Sequence, residues 1–143
     1  MTIDQISVFV ENKPGRLAEI LGILGGAGVD LRAMSIADTA DFGILRLIVD
    51  DTKRAQEALQ NAECVVSVTQ VIAASVEDKP GSLAKVLKLL SDANISIEYI
   101  YAFITRQIED AYVIFRVENN EAATKLLLEN GIKLAGHQDI CDL

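Results

Sequence analysis

Residues 11–18 read Glu11-Asn12-Lys13-Pro14-Gly15-Arg16-Leu17-Ala18, and 66 positions later the pattern returns as Glu77-Asp78-Lys79-Pro80-Gly81-Ser82-Leu83-Ala84. Between Glu11 and Leu24, eight of fourteen residues are identical to their counterparts between Glu77 and Leu90. Ordinary residue frequencies give roughly one match by chance over such a window. The chain is therefore an internal duplication, and its architecture is that of one unit read twice.

Working outward from the quoted stretch, Leu17, Ile20, Leu21 and Leu24 have the spacing of a helix with one buried stripe. Leu83, Val86, Leu87 and Leu90 match them one for one. Gly28 aligns with Asn94, the two residue types that best tolerate the left-handed conformation ending a helix. Extended segments follow at Leu31–Ala37 and Ile97–Ile104, then at Phe42–Val49 and Ala111–Val117. The offset between copies has by then become 68, which predicts two extra residues in the second copy's intervening loop. Asp51 and Asn119 are positioned as N-caps of a second helix. Its stripe is Ala55, Ala58 and Leu59 in one copy and Ala123, Leu126 and Leu127 in the other. Closing strands fall near Val65–Val68 and Ile132–Ala135, and opening strands at Ile6–Val10 and Ile72–Val76.

Each copy thus reads β-α-β-β-α-β, the split βαβ or ferredoxin-like order. The expected fold class is α+β: two tandem modules, 1–69 and 70–143, each a four-stranded antiparallel sheet with both helices on one face. Only Thr69-Gln70 separates the copies, which is too short and too poor in Gly, Ser and Pro for a flexible linker. On the strand Ile44–Val49, Leu45, Leu47 and Val49 point one way and Ile44 and Ile48 the other. The second set requires cover, from the neighbouring module or from a homodimer.

Composition narrows the function classes. Of 143 residues, 21 are acidic and 13 basic, a net charge of −8, which disfavours nucleic acid and anionic membrane surfaces alike. No apolar run approaches the roughly 18 residues of a membrane span, and the N-terminus has no signal-like pattern. A cytoplasmic location is expected, with Cys64 and Cys141 as reduced thiols. No metal-ligand spacing and no cofactor motif is present. Gly22, Gly25, Gly26 and Gly28 lie at a helix end rather than between strand and helix, which argues for packing and capping rather than nucleotide binding. Tyr99, Tyr101 and Phe103 share a strand face without a basic patch, as core or interface residues would. His137 has no nucleophile beside it, so an enzyme is not expected.

The quoted turn carries the candidate chemistry. The first N–H groups of a helix have no partner within it and, with the helix dipole, suit a carboxylate. Pro fixes φ at the first turn and Gly removes the side chain that blocks approach. The amides of Gly15, Arg16 and Leu17, and of Gly81, Ser82 and Leu83, are then expected to donate. Pro14 and Pro80 set the turns. A ligand ammonium needs acceptors, for which Asn12 and Asp78 stand at the strand ends. Asp30 and Ser96 open the next strands, from where they would complete the pocket of an adjoining module.

Those two segments, each followed about a helix later by Gly28-Val29-Asp30-Leu31 or Asn94-Ile95-Ser96-Ile97, resemble the ACT domain family over nearly the whole chain, twice. The resemblance implies a ferredoxin-like module that binds amino acids, often between paired modules, and regulates enzymes of amino-acid metabolism. In serine-sensing members, similar to phosphoglycerate dehydrogenase, an Asn in the strand-end loop and an Asn early in the second strand hold the ligand. Asn12 matches the first, whereas Asp30 departs from the second, and the other copy has Asp78 and Ser96. The expectation is a non-catalytic regulator that senses a small amino acid, as a homodimer or with a partner enzyme. The alternative is a regulatory or structural interaction subunit that acts without a ligand.

Overall fold

The computed structural model describes residues 1–38, 41–103 and 110–142; for Asp38 it describes the backbone alone. The end of the expected strand at Ile104, and the loop expected to be two residues longer in the second copy, lie outside the described residues. The chain divides into two compact units, Asp4–Thr69 and Gln70–Leu143, with Met1–Ile3 grouped with the second.

The first unit contains strands β1 (Ile3–Glu11), β2 (Leu31–Asp38) and β3 (Phe42–Val49), helices α1 (Arg16–Gly26) and α2 (Thr52–Asn61), and the start of β4 (Val66–Glu77). Within it the strand order is β2-β3-β1-β4, the ferredoxin-like arrangement. Both β1–β3 and β2–β3 are antiparallel, with Val8 opposite Leu45 and Met34 opposite Leu47. Ile6, Val8, Val10, Leu45, Leu47 and Val49 form the sheet's half of the core. Ile20 and Leu24 of α1, with Ala55 and Leu59 of α2, form the other half. These are the stripes that the helical spacing selects.

The second unit repeats this plan. The rest of β4 is followed by α3 (Ser82–Asp92), β5 (Ile97–Ala102), β6 (Asp110–Val117), α4 (Asn120–Glu129), β7 (Lys133–Leu134) and α5 (His137–Cys141). Here the order is β7-β4-β6-β5, again antiparallel throughout. Its core packs Ile72, Ala74, Val76, Val113, Phe115 and Val117 against Val86, Leu90, Ala123 and Leu127. The fold is thus the expected α+β duplication.

The ends of the helices follow the sequence closely. The Asp51 carboxylate accepts from the Arg54 N–H at 3.1 Å, and the Asn119 side chain from the Ala122 N–H at 3.0 Å. Gly28 and Asn94 take φ of +74° and +58°, the left-handed step out of α1 and α3. Close packing does not explain Gly22, Gly25 and Gly26, because a Cβ at any of them meets nothing within 4 Å. Tyr99 and Tyr101 stack along β5 with ring centroids 6.4 Å apart, and buried Phe103 meets Tyr112 edge-on.

Two readings are corrected. Val66–Glu77 is one continuous strand, not two strands separated by polar residues, and the boundary between units falls inside it. Helix α5, which buries Ile140, has no counterpart in the repeat. Of the β3 set expected to need cover, Ile48 is fully buried and Ile44 is 38% exposed.

Candidate functional site

The two Lys-Pro-Gly segments fold identically. The Arg16 N–H donates to the Lys13 carbonyl at 3.2 Å, and the Ser82 N–H to the Lys79 carbonyl at 3.2 Å. Gly15 (φ +83°, ψ −10°) and Gly81 (φ +87°, ψ −12°) occupy the third place. This is a type II turn, with Pro preset at its second position and positive φ required at its third. Both glycines are then the N-caps of the helices that follow, and no side chain caps either helix. The amides of Arg16 and Ser82, expected to face a ligand, are instead consumed in closing the turn. Those of Leu17 and Ala18, and of Leu83 and Ala84, remain directed out of the uncapped first turn.

Immediately before each turn, Lys13 pairs with Glu11 at 2.7 Å and Lys79 pairs with Glu77. The hydrogen bond from Lys13, and then its charge, hold the Glu11 carboxyl below the usual carboxylate range; Lys79 does the same to Glu77. Reciprocally, the hydrogen bond to Glu77 raises the Lys79 ammonium above its ordinary value. Asn12 and Asp78 are exposed at the strand ends, and neither caps the helix.

Asp30 and Ser96 are placed elsewhere. Eleven residues of helix, about 16 Å, separate each from the turn of its own module. The Asp30 N–H donates to the Asp50 side chain at 2.9 Å, and its carboxylate lies 3.5 Å from Arg32. Ser96 lines a separate depression with Asn94, Glu118 and Asn119. Within each module the structure therefore brings together the strand end, the turn and the helix start, and leaves out Asp30 and Ser96.

The second unit has an open pocket of about 520 Å³ beside its turn. Strand β7 pairs only with Ala74 and Ser75, so the edge of β4 beyond Ser75 has no strand on that side. The pocket lies in this notch. Its apolar floor includes Val76, Val86, Leu89 and Ile132, and Lys79, Ser82, Lys85 and Lys133 supply polar groups on the same walls. Glu77 and Asp110 complete it, and the Ser75 hydroxyl donates to Asp110 at 3.3 Å.

The first unit fills the equivalent place differently. Arg16 stands where the second module has Ser82, and its guanidinium reaches the sulfur of buried Cys64 at 4.0 Å. Phe9 and Phe42, with centroids 4.9 Å apart, stand where the second module has Ser75 and Asp110. Glu19, which pairs with Arg16 at 3.2 Å, replaces Lys85. Sequence reasoning found the turn but missed Lys85, Lys133 and Asp110. Lys85 was legible as one helical turn beyond Ser82 on the same face. The other two required the strand register.

A family model described as an ACT domain pair matches residues 1–143. No curated protein matches the sequence. Among solved structures, protein BT0572 from Bacteroides thetaiotaomicron is 39% identical, aligned over 100% of this chain and 98% of that one, with a TM-score of 0.93. The regulatory subunit of aspartate kinase from Thermus thermophilus, in a ligand-free form, is 20% identical over 88% and 90% of the two chains, with a TM-score of 0.62. The aspartokinase alpha and beta subunits are 21% identical over 88% and 90%, with a TM-score of 0.59.

Proposed function

The chain belongs to the ACT domain family as a domain pair, and from that premise we propose that it is a non-catalytic regulator that binds a small amino acid at its strand–turn–helix sites. The observation that carries the reading is the pair of uncapped helix starts, each set by a type II turn that exposes first-turn amides. A carboxylate meets unpaired donors there without displacing a side chain of the protein. Asn12, Pro14, Gly15 and Leu17 form the first such site, and Asp78, Pro80, Gly81 and Leu83 the second. Arg16 and Ser82 contribute side chains rather than amides. Asp30 and Ser96 enter a site only if an adjoining module supplies them.

Regulation follows from linkage. A ligand that favours one assembly shifts that equilibrium by its differential affinity alone. The assembly would be a homodimer or a complex with an enzyme of amino-acid metabolism in the cytoplasm. Phe9, Ile36, Phe42 and Ile44 leave apolar side chains exposed on the first unit, as a contact surface requires. Among the described residues no helix is long and apolar enough to cross a membrane. Calorimetric titration of the common amino acids into the full chain tests the reading. It requires at least one to bind at millimolar concentration or below; binding by none removes it.

The alternative, an interaction subunit that acts without a ligand, is favoured at one place only. Arg16 spans the first module's site toward Cys64 and is held by Glu19, so that module has the character of a structural partner.

A further inference from the structure

The second unit's pocket carries lysines at two places where the first unit has Glu19 and Val65, and its charges specify more than an unspecified amino acid. Lys79, Lys85 and Lys133 line it, in a chain where acidic residues outnumber basic ones 21 to 13. Lys79 is committed to Glu77, and Asp110 accepts from Ser75. Among the described residues neither Lys85 nor Lys133 has an ion-pair partner within 4.0 Å, though the charge of Lys85 also helps to hold the Glu77 carboxyl low. The other lysines on the helices of this unit do not share this condition: Lys88 of α3 is paired with Asp92 at 3.0 Å and Lys125 of α4 with Glu129 at 4.0 Å. Among the described residues lining the pocket, three ammonium groups against two carboxylates leave an excess of one positive charge. The size, about 520 Å³, lies in the range of roughly 300–1,000 Å³ usual for small-molecule sites.

We propose that this pocket takes an amino acid with a second carboxylate, held by Lys85 and Lys133, and that the first module takes no such acidic ligand at the equivalent place. An acidic amino acid carries one ammonium and two carboxylates, a net charge of −1 that balances the excess. Glu77 and Asp110 face its ammonium, while Lys85, Lys133 and the Ser82 hydroxyl face its carboxylates. Val86, Leu89 and Ile132 lie against its methylenes. In the first module Glu19 replaces Lys85, Val65 replaces Lys133, and Arg16 lies across the site toward Cys64. That module offers an acidic ligand one fewer site, not a weaker copy. The proposal rests on the amino-acid-binding reading and names the ligand class of one of its two sites.

Calorimetric titration of the full chain with L-aspartate, L-glutamate, their amides L-asparagine and L-glutamine, and inorganic phosphate decides it. The expected result is one site per chain and at least tenfold tighter binding of an acid than of its amide. Lys133→Met and Lys85→Met should each weaken that binding about tenfold, Lys133→Arg should retain it, and Lys88→Met should leave it unchanged. Thermal unfolding of the unliganded variants establishes that each is folded. Equal binding of acid and amide, or no effect of either Met variant, overturns the ligand class while leaving amino-acid sensing standing. Two equivalent sites for the acid per chain overturn its exclusion from the first module. Phosphate as the sole ligand overturns the assignment of the pocket to an amino acid. Binding of no amino acid overturns both this inference and the function from which it starts.

Discussion

The glycine at the third place of each Lys-Pro-Gly turn is demanded by backbone conformation, not by space. Gly81 has φ +87°, yet a Cβ built on it meets nothing within 4 Å, and the same holds for Gly15. Gly81→Ala should therefore cost about 1–2 kcal/mol, the penalty of the left-handed region for a residue with a Cβ. The fall in the urea midpoint measures it. The neighbouring glutamates respond to pH with a defined sign. Because Lys13 and Lys79 hold the Glu11 and Glu77 carboxyls low, their contribution is present above the ordinary carboxylate range and is lost as pH falls through the lowered values. Lys79, raised by Glu77, contributes below its ordinary range and loses that contribution as pH rises through the raised value. Both pairs are exposed, so the effect is small. Glu77→Gln should flatten the acid limb of the urea-midpoint profile between pH 7 and 3 by less than Gly81→Ala lowers the plateau. The turn and its glycine were legible from the repeated Pro-Gly. The spent amides of Arg16 and Ser82 were not, because the turn type settles which carbonyl they meet.

Elements follow their local signals where one residue decides, and depart where cooperation decides. Asp51 and Asn119 cap α2 and α4 as their residue types require. Removing either cap, as Asp51→Ala or Asn119→Ala, should cost about 1 kcal/mol by thermal or urea unfolding. Asn119→Asp should cost less than either. The helix stripes were equally legible, since a 3.6-residue period admits one buried face. Leu24→Ala or Leu90→Ala, at fully buried positions in the two cores, should cost about 2–5 kcal/mol. β4 contradicted the local reading because Thr69-Gln70 contains neither Gly nor Pro, so nothing stops an extended chain from pairing through it. α5 escaped because five residues are too few to show a period. It is instead closed by the Asp139 carboxylate, which accepts from the Gly136 N–H at 2.7 Å.

At the scale of the molecule, duplication supplies two scaffolds of one kind and leaves each to diverge in chemistry. One carries Arg16, Phe9, Phe42 and Cys64 around its turn; the other carries Ser82, Ser75, Asp110 and Ile132. Ligand at about one hundred times its Kd should stabilise the chain by about 2.7 kcal/mol, through binding to the folded state alone. Thermal unfolding with and without ligand checks this. At the same ligand concentration Lys133→Met, with binding about tenfold weaker, should roughly halve that shift without changing the melting of the unliganded chain, since Lys133 is exposed.

By itself the sequence determined that one module occurs twice, that each is a ferredoxin-like α+β unit, and that each contains a Pro-Gly turn opening a helix. These depend on periodicity and local backbone preference, which short stretches of chain carry in full. Tertiary structure alone decided that Lys133 and Asp110 stand beside the second turn while Asp30 and Ser96 stand a helix length away from theirs. Sheet register and the two-residue length of β7 set those placements. Strand pairing joins residues distant in the chain, so no local pattern announces it.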